Sequence, residues 1–183
     1  PGVEFTAKKV LRFGVALLGL RVTFGEMMSL GWEAVALVVC GVMLTMFFGI
    51  CVARLLGRHI RFGTLTGGAV AICGASAALA IAAVLPKNEY SERNTIFTVI
   101  AVTAFSTIAM IVYPIVATFA GLDDRTAGIF LGGTIHDVAQ VVGAGYAISP
   151  EAGDIATITK LLRVAMLVPV VLTLSIYFRS RGG

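Results

Sequence analysis

Residues 132–145 read GGTIHDVAQVVGAG, so an imidazole, a carboxylate and a carboxamide lie within a run of small and apolar residues. On a helix, His136 and Gln140 would share one face at a spacing of i, i+4, with Asp137 beside them. Ionisable groups in an apolar segment are costly, and they generally face a bundle interior or a water-filled path. This stretch is therefore the first candidate for a functional site.

The composition of the whole chain is typical of a membrane protein. Of its 183 residues, 58% are hydrophobic and only 13% are charged, and the mean hydropathy is +0.96. These values lie outside the range of soluble domains. The net charge of +4 does not indicate nucleic-acid binding, because the basic residues flank apolar segments instead of forming a stripe with aromatic residues. We expect the lipid bilayer as partner, and no nucleic acid.

Apolar runs divide the chain into about six membrane segments, so the expected fold class is all-α, a polytopic helical membrane protein. The segments cover approximately residues 6–22, 34–53, 62–85, 94–120, 126–147 and 155–178. The uncharged run from Ala34 to Ala53 predicts the clearest spanning helix. Pro114 predicts a kink or an end in the fourth segment. Ser149 and Pro150 predict the N-cap and first residue of the last helix.

If every segment crosses the bilayer, the charged connections fall into two groups. One side then receives the stretches 8–12, 54–61, 123–125 and 179–181, and the other receives 26–33, 87–93 and 151–154. The positive-inside rule assigns the first group to the cytoplasm, with 123–125 as its weakest member.

Two segments differ from ordinary spans. Gly67-Gly68 precede a run of small residues at 72–78, and Gly132-Gly133 precede the polar stretch. Such residues indicate either close helix packing or a break whose free amides bind a neighbour or a ligand, and both alternatives stay open here. Two discontinuous helices at corresponding positions are typical of secondary transporters. The charge pattern gives both segments one direction, so they are inverted mates only if one is re-entrant or if the mates lie elsewhere.

Lys160 and Arg163 allow two interpretations. They either extend to the outer membrane surface or lie inside, against Asp137 or an anion. If they pair with Asp137 the site is near neutral, and otherwise it attracts anions. His136 is either a packing group or, together with Asp137, a proton relay.

Other chemistries find less support in the sequence. The two histidines lie in unlike places, and no metal-ligand spacing or P-loop occurs, so no metal or cofactor is expected. The spacing of the three cysteines predicts free, buried thiols. Ser76 could offer a nucleophile to His136, which is the intramembrane-enzyme alternative. A serine among small residues is more typical of helix packing, and we do not expect an enzyme.

Four stretches carry a resemblance to a known family. They are Ile72-Cys73-Gly74-Ala75-Ser76-Ala77, the run His136 to Val142, the run Ile148 to Ala152, and Lys160-Leu161-Leu162-Arg163. In this order and spacing they resemble the YeiH-like family of bacterial inner-membrane proteins, whose members are labelled sulfate exporters. The patterns at 2–8 and 11–23 also match, so the resemblance covers essentially the whole chain.

The resemblance implies a secondary transporter of about ten spans in the bacterial inner membrane, with this chain as its middle part. Because the chain begins with Pro1, we also expect a single transmembrane domain over residues 1–183 that is a fragment of a longer one. The implied cargo is an exported small anion, sulfate-like or a sulfonate, and the interpretation of His136 with Asp137 as a proton relay would add proton coupling. The substrate-binding positions are Cys73, Gly74, Ala75, Ser76, His136, Asp137, Gln140, Lys160 and Arg163. An intramembrane enzyme or a non-transporting subunit is the alternative, and a homo-oligomer stays open.

Overall fold

The computed structural model describes residues 31–180, which form helices without any strand. In chain order the helices are α1 Trp32–Leu55, α2 Ile60–Ala71, α3 Ala75–Val84, α4 Ser91–Phe119, α5 Asp124–Thr134, α6 Val138–Tyr146, α7 Pro150–Ala165 and α8 Leu167–Ser180. The predicted all-α class is confirmed. The first predicted segment, 6–22, lies outside the described residues.

Three helical stretches in residues 31–180 are long and apolar enough to cross a membrane: α1, α4, and α7 continued by α8 over Pro150–Arg179. Large apolar side chains cover their outer surfaces, and Phe47 and Phe48 of α1 are 67% and 69% exposed. Such a surface fits lipid contact. The α4 helix continues through Pro114 to Phe119 instead of ending at the proline. Pro169 separates α7 from α8 because its nitrogen has no hydrogen to donate to the preceding turn.

Helices α2 and α3 form a hairpin, which we call hairpin 1. Gly68 packs against Ile81, thirteen positions later, which a continuous helix would hold about 20 Å away. The start of α2 and the end of α3 also line one cavity, with Arg58 and Leu85 among its residues. Residues 62–85 therefore return to the end at which they began, and the prediction that they cross the bilayer is wrong.

Helices α5 and α6 form hairpin 2, which begins and ends at the opposite end of the molecule. The hydroxyl of Ser149, just after α6, donates a 2.7 Å hydrogen bond to Asp124 at the start of α5. Gly128 of α5 and Gly145 of α6 both pack against the carbonyl of Ala152 in the first turn of α7. The prediction of one crossing helix over 126–147 is therefore also wrong.

Side-chain caps fix the beginnings of the helices around hairpin 2. Ser149 accepts a hydrogen bond from the amide of Ala152, with Pro150 in the first turn, so the predicted N-cap is confirmed. Asp123 caps α5 by accepting from the amide and hydroxyl of Thr126, and these bonds lower the pKa of its carboxyl.

Two hairpins redistribute the charged connections between the ends of the molecule. The arginine-rich end carries Arg54, Arg58, Arg61, Lys87, Arg93 and Arg179; the acidic end carries Glu33, Asp123, Asp124, Glu151 and Asp154. The predicted grouping is therefore wrong for two stretches, because 87–93 lies with 54–61, and 123–125 lies with 151–154. The cause is physical: alternation assumes that every apolar run crosses, whereas each hairpin turns back.

Glycines bring the helices into backbone contact. A Cβ on Gly49 of α1 would lie 2.6 Å from the Cα of Gly67 in α2, and one on Gly132 of α5 would meet the carbonyl of Ala156 in α7. The small residues were expected either to allow close helix packing or to mark a helix break, and both occur, at different positions. Gly67 and Gly132 serve close packing, and the breaks follow a few residues later.

Candidate functional site

The tips of the two hairpins meet inside the molecule. Hairpin 1 turns between Ala71 and Ala75, and hairpin 2 turns between Thr134 and Val138. Gly74 has φ +67 and ψ −122, a conformation essentially restricted to glycine, and a Cβ on it would lie 3.4 Å from the Cβ of His136. The predicted helix breaks are confirmed. Because the hairpins begin at opposite ends, they form the inverted pair that the charge pattern argued against.

Lys160 of α7 joins the two tips. Its side chain is fully buried, and its ammonium donates to the carbonyls of Ile72 at 2.7 Å and Ile135 at 3.0 Å. These carbonyls follow the last turns of α2 and α5, where the helix dipole places partial negative charge. The lysine therefore satisfies one carbonyl at each break and complements both helix ends.

Arg163, one turn further along α7, makes a second bridge. Its Nη2 donates to Ala71 at 2.7 Å and to Val70 at 3.0 Å, both in hairpin 1. Its Nη1 donates to Gly133 at 2.6 Å in hairpin 2. The three nitrogens of the planar guanidinium make more contacts than the single nitrogen of an ammonium could. The interpretation that Lys160 and Arg163 extend to the outer surface is wrong.

The carboxylate of Asp137 hydrogen-bonds to the helix that follows it. It caps α6, accepting from the amides of Ala139 at 2.9 Å and Gln140 at 3.4 Å. Within the described residues it makes no ion pair with Lys160 or Arg163, whose hydrogen bonds all go to carbonyls. The predicted pairing of Lys160 or Arg163 with Asp137 is therefore not found, and anion binding at the site stays a prediction.

Ser106 and Thr107 of α4 orient hairpin 2, and the sequence pattern did not single them out. The hydroxyl of Ser106 accepts from the amide of Asp137 at 3.1 Å, and the hydroxyl of Thr107 accepts from Nε2 of Gln140 at 3.0 Å. The available signal was a Ser-Thr pair within a long apolar run. His136 and Gln140 do not share a helix, because α5 ends at Thr134 and α6 begins at Val138.

The beginning of α3 is the free helix end at the meeting point. Gly74 is its N-cap and supplies no side-chain hydrogen bond. The amides of Ala75 and Ser76 have no backbone acceptor in the part of the chain described, and Ser76 is exposed. Free amides at a helix N-terminus favour an anion. Cys73, by contrast, packs among apolar side chains such as Val42.

Three buried polar atoms lack partners among residues 31–180: Nδ1 of His136, which lies next to Gly74, Oε1 of Gln140 and the hydroxyl of Thr159. Nδ1 of His136 and Oε1 of Gln140 have hydrogen-bonding capacity left for a polar ligand, while Nε2 of Gln140 is bonded to Thr107. All nine predicted positions lie at the meeting tips or directly support them, although the side chain of Cys73 packs in the apolar core. Their roles in binding stay predictions. The same residues hold no cluster of three or more potential metal ligands.

Comparison with known proteins places the sequence in a family. The sequence model of the family described as Conserved hypothetical protein 698 matches residues 1–183. The chain is 64% identical over 181 residues to the UPF0324 membrane protein CT0845 of Chlorobaculum tepidum, covering 99% of this chain and 51% of that relative. It is 61% identical over 182 residues to the UPF0324 membrane protein TauZ of Paracoccus denitrificans, covering 100% and 54%.

A third relative, the UPF0324 membrane protein RB0971 of Rhizobium meliloti, is 62% identical over 179 residues, which are 98% of this chain and 52% of the relative. The chain thus spans about half the length of the curated relatives it matches. No solved structure matches it. The resemblance drawn from the sequence is confirmed: the chain is a membrane protein and belongs to the Conserved hypothetical protein 698 family.

Proposed function

We propose that this chain is the core of a secondary transporter that exports a small anion, sulfate-like or a sulfonate, across the bacterial inner membrane. The observation that carries the proposal is the meeting of two hairpin tips that come from opposite ends of the molecule. Half-helix ends that meet near the midplane are the usual site architecture of secondary transporters. Relative movement of the two hairpins would expose the site alternately to the two sides.

The charges at the tips support an anionic cargo. Two cationic side chains, Lys160 and Arg163, stand against the single carboxylate of Asp137, which hydrogen-bonds to the amides of α6. The uncapped beginning of α3 adds the positive end of a helix dipole. We place the anion at the amides of Ala75 and Ser76. Lys160 and Arg163 bind the carbonyls at the ends of α2 and α5.

The orientation follows from the two charged ends. The positive-inside rule places the arginine-rich end in the cytoplasm, so hairpin 1 begins on the cytoplasmic side and hairpin 2 on the opposite side. Six of the seven Lys and Arg residues in the described connections and helix ends then lie inside, and Arg125 alone lies outside.

We further propose that His136 couples the anion to protons, with Asp137 beside it. His136 faces Gly74 of hairpin 1, and its Nδ1 has no partner in the described chain. Imidazole changes charge near neutral pH, so a protonated His136 would bind an anion that the neutral form releases. We assign no catalytic role to Ser76, which makes no hydrogen bond with His136 in residues 31–180.

The test is anion flux into proteoliposomes that hold the full-length protein carrying this chain. Sulfate, sulfite and a small sulfonate are compared with and without a pH gradient, for the unaltered protein, His136→Ala and Thr118→Ala. Thr118 is exposed on α4, far from the tips, and serves as the matched control. We expect flux that responds to the gradient, falls in His136→Ala and persists in Thr118→Ala. Absence of flux for all three anions in sealed vesicles holding folded protein would overturn the proposal.

A further inference from the structure

A cavity of about 350 Å³ opens at the arginine-rich end, away from the meeting tips. Its walls are the first turn of α2, the last turn of α3, the first turn of α4 and the loop 85–90. The base of hairpin 1 therefore faces α4 across this space. The volume lies at the small end of the range for ligand pockets, which suits a headgroup and not a large cofactor.

The lining of the cavity is cationic. Arg58, Arg61 and Arg93 contribute to it, and no acidic side chain does. Glu89 and Glu92, the acidic residues next to it in the sequence, are exposed and lie outside the lining. None of the three arginines makes an ion pair within residues 31–180. The cavity thus gathers three positive charges that this part of the chain does not neutralise.

Aromatic rings hold two of these arginines in place. The guanidinium carbon of Arg58 lies 6.0 Å from the ring centre of Phe62, and that of Arg93 lies 5.1 Å from the ring centre of Tyr90. A ring orients the guanidinium through its face and leaves the N–H groups at its edge unused. These groups form the planar fork that matches phosphate oxygens.

The surroundings of the cavity are apolar and exposed. Phe97, whose ring centre is 6.4 Å from that of Phe62, is 60% exposed, and Leu56, adjacent to the lining residue Gly57, is 72% exposed. Leu65 and Leu85 form apolar parts of the lining itself. A ligand with an anionic head and hydrocarbon chains would match both the arginines and this outer surface.

We propose that the cavity binds the phosphate headgroup of an anionic phospholipid from the cytoplasmic leaflet. Basic pockets between membrane helices on the cytoplasmic side are suited to such headgroups. The arginines bind the phosphate, and the acyl chains lie on the exposed side chains beside Phe97. Bound there, the lipid links both ends of hairpin 1 to α4 and stabilises the base of the hairpin. The site lies apart from the tips and does not depend on what the tips transport.

The experiment measures lipid bound to the full-length protein by native mass spectrometry. The detergent-purified protein is titrated with phosphatidylglycerol, with zwitterionic phosphatidylcholine and with inorganic phosphate. The variants are Arg58→Gln, Arg61→Gln and Arg93→Gln, singly and combined. Arg54→Gln is the matched control, since Arg54 is exposed at the same end and does not line the cavity. Circular dichroism checks that each variant is folded. If the triple variant does not fold, the comparison rests on the three single variants.

We expect tighter binding of phosphatidylglycerol than of phosphatidylcholine, weakened about fivefold by each removed arginine and unchanged in Arg54→Gln. Equal phosphatidylglycerol binding by the unaltered protein and the arginine variants would overturn the site. Arginine-dependent binding of inorganic phosphate, without competition from phosphatidylglycerol, would overturn the lipid as its occupant. Because bound lipid and not flux is measured, neither result bears on the transport proposal.

Discussion

The ammonium group of Lys160 donates a 2.7 Å hydrogen bond to the carbonyl of Ile72, a residue 88 positions earlier in the chain. The same group reaches Ile135, in the other hairpin, at 3.0 Å. One buried side chain therefore fixes the distance between two tips that begin at opposite ends of the molecule. The arrangement makes α7 the element on which both hairpins depend.

Lys160→Met should destabilise the protein strongly. The substitution leaves the carbonyl of Ile72 without its donor, at a cost of about 1–3 kcal/mol, and leaves the carbonyl of Ile135 with only the 3.3 Å hydrogen bond from Arg163. Thermal unfolding of the full-length protein in detergent measures the loss. Lys87→Met is the matched control, because Lys87 is exposed in the loop before α4. Equal unfolding temperatures for the two variants would show that Lys160 does not hold the tips.

Arg163→Lys should loosen both tips although it preserves the charge. A lysine has one donor nitrogen, so it cannot reproduce the contacts that Nε, Nη1 and Nη2 make with Val70, Ala71 and Gly133. Hydrogen exchange of the amides in 71–76 and 135–139 should accelerate relative to the unaltered protein. Arg179→Lys, at the far end of α8, should leave these rates unchanged. Protection in Arg163→Lys equal to that of the unaltered protein would contradict the bridging role.

Gly74→Ala should cost about 1–3 kcal/mol through backbone strain alone, since its φ and ψ are essentially reserved for glycine. The added methyl group itself meets only ordinary contacts, with His136 at 3.4 Å and Val102 at 3.6 Å. Gly41→Ala in α1, where a Cβ meets nothing within 4 Å, is the control and should be neutral or stabilising. Chemical unfolding in mild detergent measures the free energy of unfolding of both variants. An unchanged free energy of unfolding in Gly74→Ala would contradict the strained backbone conformation at Gly74.

Ser106→Ala should disturb the orientation of hairpin 2. It leaves the amide of Asp137 without its acceptor, and the side chain is fully buried, so water does not replace the lost bond. We expect a raised KM for the transported anion and faster amide exchange at Ala139 and Gln140, while Thr118→Ala keeps unaltered values. Unchanged KM and exchange would remove Ser106 from the positioning residues.

Local features of the sequence predicted much of the fold. The uncharged run from Ala34 to Ala53 predicted α1, and Ser149 with Pro150 predicted the beginning of α7. Such features succeed because span length and N-capping depend on neighbouring residues alone. The glycine pairs also marked the two unusual segments correctly. They could not show whether a broken segment crosses or turns back, because that depends on contacts such as Gly68 with Ile81.

The sequence indicated which polar residues lie at the hairpin tips, but it did not indicate what they contact. The sequence drew attention to Lys160, Arg163 and Asp137 because charges in apolar segments are costly. It suggested carboxylates and anions as partners for the cations, whereas the structure gives them backbone carbonyls. A residue pattern does not show which backbone carbonyls are free at a helix end, because that depends on where each helix breaks. Ser106 escaped notice for the same reason, since its partner is a backbone amide 31 positions away.

The most direct test of the central claim, that two hairpins begin at opposite ends and meet, is thiol labelling of Lys87→Cys and Glu151→Cys. Each is placed in the full-length protein without its native cysteines, and a membrane-impermeant reagent is applied to intact cells and to inverted vesicles. Both positions are exposed in the structure. We predict labelling of Lys87→Cys only in inverted vesicles and of Glu151→Cys only in intact cells. Labelling of both from the same side would contradict the hairpin arrangement, because segments that all cross the membrane put residues 87 and 151 together.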